Sequence, residues 1–405
     1  MSRTARYLSV VAWTVASVFV AVAAVCIATD PQRLFGTPDV SHVNARKPYL
    51  QQHRTLARWK AAARMCPTAG IFGNSRAEVG FDPEHPGFAA LGTEAFNHAN
   101  PGTGLALARD QLAWLRLAGC KPKVAVIGLD FPDFLVDPAA TGSALTAPPI
   151  APVPRLDLRT IVETTLTLGA LGNALKTLYV QWEPYGAIES ARGLNELRSF
   201  VPEVERTGAF PMFRQAIEEN ARVWRRRPRS VVGSRGAPAP EYAILESLID
   251  AAAADGTRVI LVTYPYHLQL RLLMARLGFE GTFESWKRKL VGVTSAARNK
   301  GQNVELWDFS LVAGPTTERI PRLGDIRSKM TGYWEAGHFK RELGDRMLDQ
   351  ILLGQPGFGI SLDESNVDTV IREDRQRLAL MSTEAGELAR ELDALVARGA
   401  DGSAR

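Results

Sequence analysis

The sequence reads as a doubly wound α/β protein built on a mainly parallel, five-stranded sheet. Short Val/Ile-rich runs alternate with longer helical patterns, the mark of parallel strands joined by crossover helices. The chain has 405 residues, 46% hydrophobic and 22% charged, ample for one large buried core. An apolar, uncharged segment at the N-terminus stands apart from that alternation.

Arg3 and Arg6 precede an uncharged run over residues 7–28. A helix of that length crosses a bilayer, and the run exceeds the roughly 7–15 apolar residues of a cleaved signal peptide. Residues 1–6 are therefore expected in the cytoplasm and 7–28 as a transmembrane signal anchor. The positive-inside rule puts the remainder in the periplasm, outside the inner membrane. Cleavage after Ala28 is the alternative, and Ala23-Ala24-Val25-Cys26 matches a lipoprotein box poorly.

Residues 30–64 read as a juxtamembrane linker marked by Pro31, Gly36 and Pro38, then a helix carrying Leu56, Trp59 and Ala63. The α/β domain is expected over 65–360, with strands at 69–74, 95–98, 124–130, 258–263 and 304–308. Helical patterns at 105–117, 241–254 and 283–299 precede the last three strands. Residues 139–240 break the alternation as a Pro/Ala-rich and helical insertion, of the kind that shapes a substrate groove. Its Arg225-Arg226-Arg227-Pro228-Arg229 run reads as a solvated loop ahead of a polyanion contact.

In residues 361–405, Ile371, Leu378, Met381, Ala385, Leu388, Leu392 and Leu395 form an apolar helical stripe. That stripe serves self- or partner association, or packs back on the domain; Gly399 is expected to end the helix. Cys66 and Cys120 each precede a strand, and in an oxidising compartment they form a disulfide candidate. The net charge of +5 is mild and accompanies no nucleic-acid signature, so nucleic-acid binding is set aside. No metal or cofactor is expected, because His85 and His98 lack partners at metal-ligand spacing and no P-loop occurs.

Chemistry-bearing residues follow the strands, where ligands bind in such sheets. The first strand leads into Gly73-Asn74-Ser75-Arg76, which exposes a serine hydroxyl at the sheet edge before a helix. Asn97-His98-Ala99-Asn100-Pro101-Gly102 follows the second, and Gly102 lets backbone approach a ligand. Asp130 ends the third, and Tyr264-Pro265-Tyr266-His267 follows the fourth. Glu335-Ala336-Gly337-His338 places a carboxylate three residues before a histidine. Singly, Ser75 reads as a helix cap and His338 as a solvated helix residue; with Gly102 and Glu335 they read as a site.

In this order and spacing, Ser75, Gly102 and Glu335-x-x-His338 resemble the SGNH hydrolase superfamily over roughly residues 65–355. The nearer likeness is to its membrane-anchored members and, more distantly, to the alginate and exopolysaccharide O-acetylation proteins. The resemblance implies a flavodoxin-like sheet, with Ser75 as nucleophile, His338 as base and Glu335 orienting it. The Ser75 and Gly102 N–H groups would hold the oxyanion, and the substrates would be an acyl donor and an exported or cell-surface polysaccharide.

Two positions depart from that pattern. Asp130 stands where the family has an oxyanion-donating Asn, and Glu335 stands for the usual Asp. Either Asp130 pairs with Arg76, or Asn74 or Asn97 supplies the missing donor. Arg76 is structural or holds an anionic substrate group, and His267 contacts substrate or packs its loop. The Asp130 departure sustains a second expectation, a non-catalytic scaffold subunit of an envelope or exopolysaccharide assembly. A third is a lipid or small-ester hydrolase with residues 139–240 as its lid.

Overall fold

The computed structural model describes residues 2–183, 189–384 and 386–401. Helix α1 (Arg3–Thr29) is long and apolar enough to cross a membrane, and nearly all of it is exposed. Its C-terminal end is tied down. Thr37 Oγ1, Asn44 Nδ2 and Lys47 Nζ donate to the carbonyls of Ile27 (2.6 Å), Ala28 (3.1 Å) and Thr29 (2.9 Å). These are carbonyls that a helix end leaves without internal partners. The buried Asp30 carboxylate accepts the backbone N–H groups of Leu34 (2.7 Å), Phe35 (3.1 Å) and Gly36 (2.9 Å). The segment marked by Pro31, Gly36 and Pro38 is thus a packed collar, followed by α2 (Arg54–Met65).

The domain proper begins with β1 (Ala69–Phe72), α3 (Ser75–Gly80), α4 (Pro86–Ala90), β2 (Ala95–Asn97), α5 (Leu105–Leu117) and β3 (Val124–Leu129). An insertion follows, with α6 (Leu158–Thr165), α7 (Leu168–Tyr179), α8 (Val201–Thr207) and α9 (Phe210–Arg225). The alternation resumes with α10 (Pro240–Ala254), β4 (Arg258–Thr263), α11 (Leu268–Arg276), α12 (Glu280–Asn299) and β5 (Val304–Asp308). A hairpin of β6 (Tyr333–Glu335) and β7 (His338–Phe339) then leads to α13 (Arg341–Leu353), β8 (Ile360–Ser361), α14 (Val367–Glu384) and α15 (Gly386–Asp401).

The sheet order is β2-β1-β3-β4-β5-β8, parallel except for β8, which pairs antiparallel with β5. The expected strands are all present; the sixth, of two residues, is too short to leave a pattern in the sequence. Helices cover both faces, so the central strands read as unbroken apolar runs. Val126, Ile127, Ile260 and Leu261 are fully buried, each contributing about 1.5–3 kcal/mol. The strand order reverses between β1 and β3, and the crevice beyond their carboxyl ends is where such sheets bind ligands.

Cys66 and Cys120 form a disulfide at the opposite, amino-terminal edge of the same two strands. The insertion is not one cap. Helices α6 and α7 pack on α1, whereas residues 189–195 reach the domain, with Gly193 against the Asn97 carbonyl. The arginine run is not a free loop either: Arg227 and Arg229 donate to the carbonyls of Pro132 (3.0 Å) and Leu277 (2.6 Å).

The C-terminal stripe packs back onto the domain. Ile371, Leu378 and Leu392 are buried, with Met381, Leu388 and Leu395 against the core. Ala385 lies outside the described residues. Helix α15 continues through Gly399 to Asp401, because one glycine costs a helix only about 1 kcal/mol.

Candidate active site

Gly73 makes the turn after β1 possible. Its φ is +149°, and a Cβ there would stand 2.4 Å from Tyr264 Oη. A Cβ on Gly128 of β3 would meet the same hydroxyl at 2.1 Å, so the Tyr264 ring fits only between two glycines. Asn74, not Ser75, caps α3: its Oδ1 accepts the Arg76 N–H at 3.0 Å. The Ser75 hydroxyl is thereby left free of capping.

Ser75 Oγ lies 2.8 Å from His338 Nε2. His338 Nδ1 meets Glu335 Oε1, and Glu335 Oε2 accepts the Gly337 N–H at 2.7 Å. The tight β6–β7 hairpin sets this spacing; His338 lies on β7, not on a helix. Burial alone would raise the Glu335 carboxyl. The His338 hydrogen bond and charge, the Gly337 N–H and Arg76 outweigh burial and hold it below the ordinary glutamate value. A serine hydroxyl on an imidazole whose far nitrogen is held by a carboxylate can pass its proton to that ring while attacking a carbonyl carbon.

Arg76 ties the serine turn to the histidine hairpin. Its Nε donates to the Gly337 carbonyl at 2.7 Å, and its Nη1 pairs with Asp130. The guanidinium also lies over the Tyr264 and Tyr266 rings, 5.9 and 5.5 Å from their centroids. Burial lowers its pKa, but Asp130, the two tyrosines and Glu335 together raise it above the ordinary arginine value.

Asp130 accepts from Asn74 Nδ2 at 2.7 Å, from Arg76 and from the Tyr266 hydroxyl. Its charge is paired and its oxygens are engaged, so it anchors the turn instead of facing the serine unopposed. Of the two candidates for the missing amide donor, Asn97 is removed. Asn74 gives one amide N–H to Asp130. Asn97 is buried and donates to the carbonyls of Ala77 and Phe81, each at 2.9 Å.

Gly102 occupies a turn at φ +69° with open space around its Cα. That loop is pinned to the serine turn by Asn100 N–H donating to the Gly73 carbonyl at 3.0 Å. His267 is not brought to substrate. It is buried, its Nδ1 accepts from Gln269 N–H (3.1 Å) and its Nε2 meets the Glu318 carbonyl (2.7 Å). Burial, only partly offset by Glu318, brings its pKa down to about 4.

Three residues at the site are given no role by the sequence. Tyr264 and Tyr266 follow β4, a position that could have flagged them, since strand ends share one edge. Asp133 lies three residues past Asp130, with its Oδ2 3.2 Å from where a Gly104 Cβ would be. Burial, then the Asp130 charge, pushes its carboxyl up to about 8, so it is largely protonated at neutral pH. A cleft of about 430 Å³ flanks the hairpin, lined among others by Val79, Arg198, Trp334, Lys340 and Arg341. No family model, curated protein or solved structure matches the chain.

Proposed function

We propose that the chain is a membrane-tethered, SGNH-type serine O-acyltransferase or esterase acting on an exported or cell-surface polysaccharide. The observation that carries the reading is the Ser75–His338–Glu335 relay at the carboxyl edge of the sheet, with Ser75 Oγ 2.8 Å from His338 Nε2. In this reading Ser75 attacks an acyl carbonyl and His338 takes its proton. The Ser75 and Gly102 N–H groups receive the oxyanion, and the acyl group passes to a sugar hydroxyl or to water. The Trp334 ring with Arg198, Lys340 and Arg341 in the neighbouring cleft supports a sugar chain as acceptor. Arg3 and Arg6 at the N-terminal end of α1, and the Cys66–Cys120 disulfide, support a periplasmic domain on an inner-membrane anchor.

The test is p-nitrophenyl acetate hydrolysis by the full-length protein in detergent. Ser75→Ala is expected to lower turnover about a thousandfold or more, with unfolding unchanged. Equal rates for the two proteins would remove the catalytic reading. A second reading, a non-catalytic binding subunit of the same fold, draws on one observation: Asp130 stands at the amide-donor position and both amide N–H groups of Asn97 are spent on backbone carbonyls. Ser75-independent binding of polysaccharide without turnover is the result that would select it.

A further inference from the structure

Helix α7 wears its apolar side chains on the outside. Ala170, Ala174 and Thr177 face inward and are buried. Leu168, Gly172, Leu175 and Tyr179, spaced three or four apart, form an exposed stripe. Leu168 is 89% exposed, Tyr179 76% and Trp182, just beyond the helix, 73%. Leu158 and Val162 of α6 extend the patch. No ionisable residue occurs between Glu163 and Lys176. A patch of this kind facing water is unusual for a soluble surface and marks a contact site.

The identity of that contact follows from the element next to it. Helices α6 and α7 pack on α1. Val22 and Cys26 of α1 meet Ala170 and Ala174, small residues four apart that let helices approach closely in lipid. The uncharged run of α1 ends at Ala28. At 1.5 Å per residue, Val22 lies about 9 Å and Cys26 about 3 Å inside that end. The packing contact therefore spans about 3–9 Å, overlapping the depth of about 5–10 Å to which interfacial helices sink. Both helices of this pair carry exposed apolar residues, Val18 and Val20 on α1 and Leu168 and Leu175 on α7. Tyr179, Trp182 and Lys176 supply the amphipathic residues that favour the headgroup boundary.

We propose that the α6–α7 hairpin is embedded in the lipid leaflet around the C-terminal end of α1, as a second membrane-contact element. This rests on α1 spanning the bilayer, and the experiment separates the two. Full-length Cys26→Ala protein carrying Leu168→Cys, Leu175→Cys, Val18→Cys or Leu323→Cys, each labelled with an environment-sensitive fluorophore, is reconstituted into phosphatidylcholine vesicles containing doxyl-chain lipid. Labels at 168, 175 and 18 are expected to shift to the blue and lose emission to the doxyl lipid, while the label at 323 responds only to aqueous iodide. Quenching at 18 with iodide-accessible labels at 168 and 175 overturns the proposal and leaves the span intact. Labels at 168 and 175 that neither quencher reaches mean that a protein covers the stripe, which also overturns it. Absence of lipid quenching at 18 removes the span and this proposal with it.

Discussion

Two aspartates end parallel strands at the same edge of the sheet, and the chain treats them differently. Asp308, the last residue of β5, is fully buried. It pairs with Lys287 Nζ at 2.8 Å and accepts from Thr263 Oγ1 (2.7 Å), Ser310 N–H (2.9 Å) and Ser310 Oγ (2.6 Å). Helix α14 closes over it and adds Asp374, which pairs with Arg271 at 3.1 Å. Asp130, just beyond β3, also meets a cation and hydroxyl and amide donors, but its partner Arg76 keeps 13% of its side chain exposed. The serine turn, the β6–β7 hairpin and Tyr266 hold that pair. The lesson is that a buried charge pair at a strand end serves the fold where a helix caps it. At Asp130 the same kind of pair is left partly open beside the Ser75 hydroxyl.

The sharpest way to break this contrast is Lys287→Ala, which strands Asp308 without a cation in a dry interior. Stability is expected to fall by about 3–5 kcal/mol in urea unfolding, with p-nitrophenyl acetate turnover per folded molecule unchanged. The double change Lys287→Met with Asp308→Leu should cost far less. If it costs as much as the single change, the pair is not the cause.

Arg76→Lys tests the open pair. Lysine cannot reach the Gly337 carbonyl and Asp130 together in the arginine geometry, so the hairpin and serine turn lose their common tie. Turnover is expected to fall about a hundredfold with a small loss of stability. A large loss of stability with unchanged turnover per folded molecule would make Arg76 another Lys287.

The smallest effect concerns Asp133. Its folded pKa of about 8 lies above its ordinary value of 3.8. Between those values the folded state holds more protons than the unfolded one, so stability falls as pH rises through that window and levels off above it. Asp133→Asn is expected to flatten that fall, measured as the urea midpoint from pH 4 to pH 9. An unchanged slope would mean that Asp133 is solvated.

Much of this arrangement was readable in the residues. The parallel strands announce themselves because burial on both faces makes them continuous apolar runs. Ser75, Glu335 and His338 could be paired because strand ends share an edge. What could not be read depended on contacts remote in sequence. The pairing of Asp130 with Arg76 is legible in the sequence and is present, but the Asn74 and Tyr266 donors that complete its shell are not. His267 and Asn97 carry site-like side chains but spend them on nearby backbone, which no spacing reveals. The insertion looked like a single cap because nothing in residues 158–179 says that they pack on α1.

The collar below α1 has one more consequence. A disordered tether of n residues would let an anchored domain wander over about 5–6 Å × √n. Here the helix end is hydrogen-bonded to Thr37, Asn44 and Lys47, and Asp30 locks the next turn. A domain mounted this way on its apolar helix works like a tool on a fixed stand. The Ser75 turn is thereby held at one distance and in one orientation relative to the end of the apolar helix.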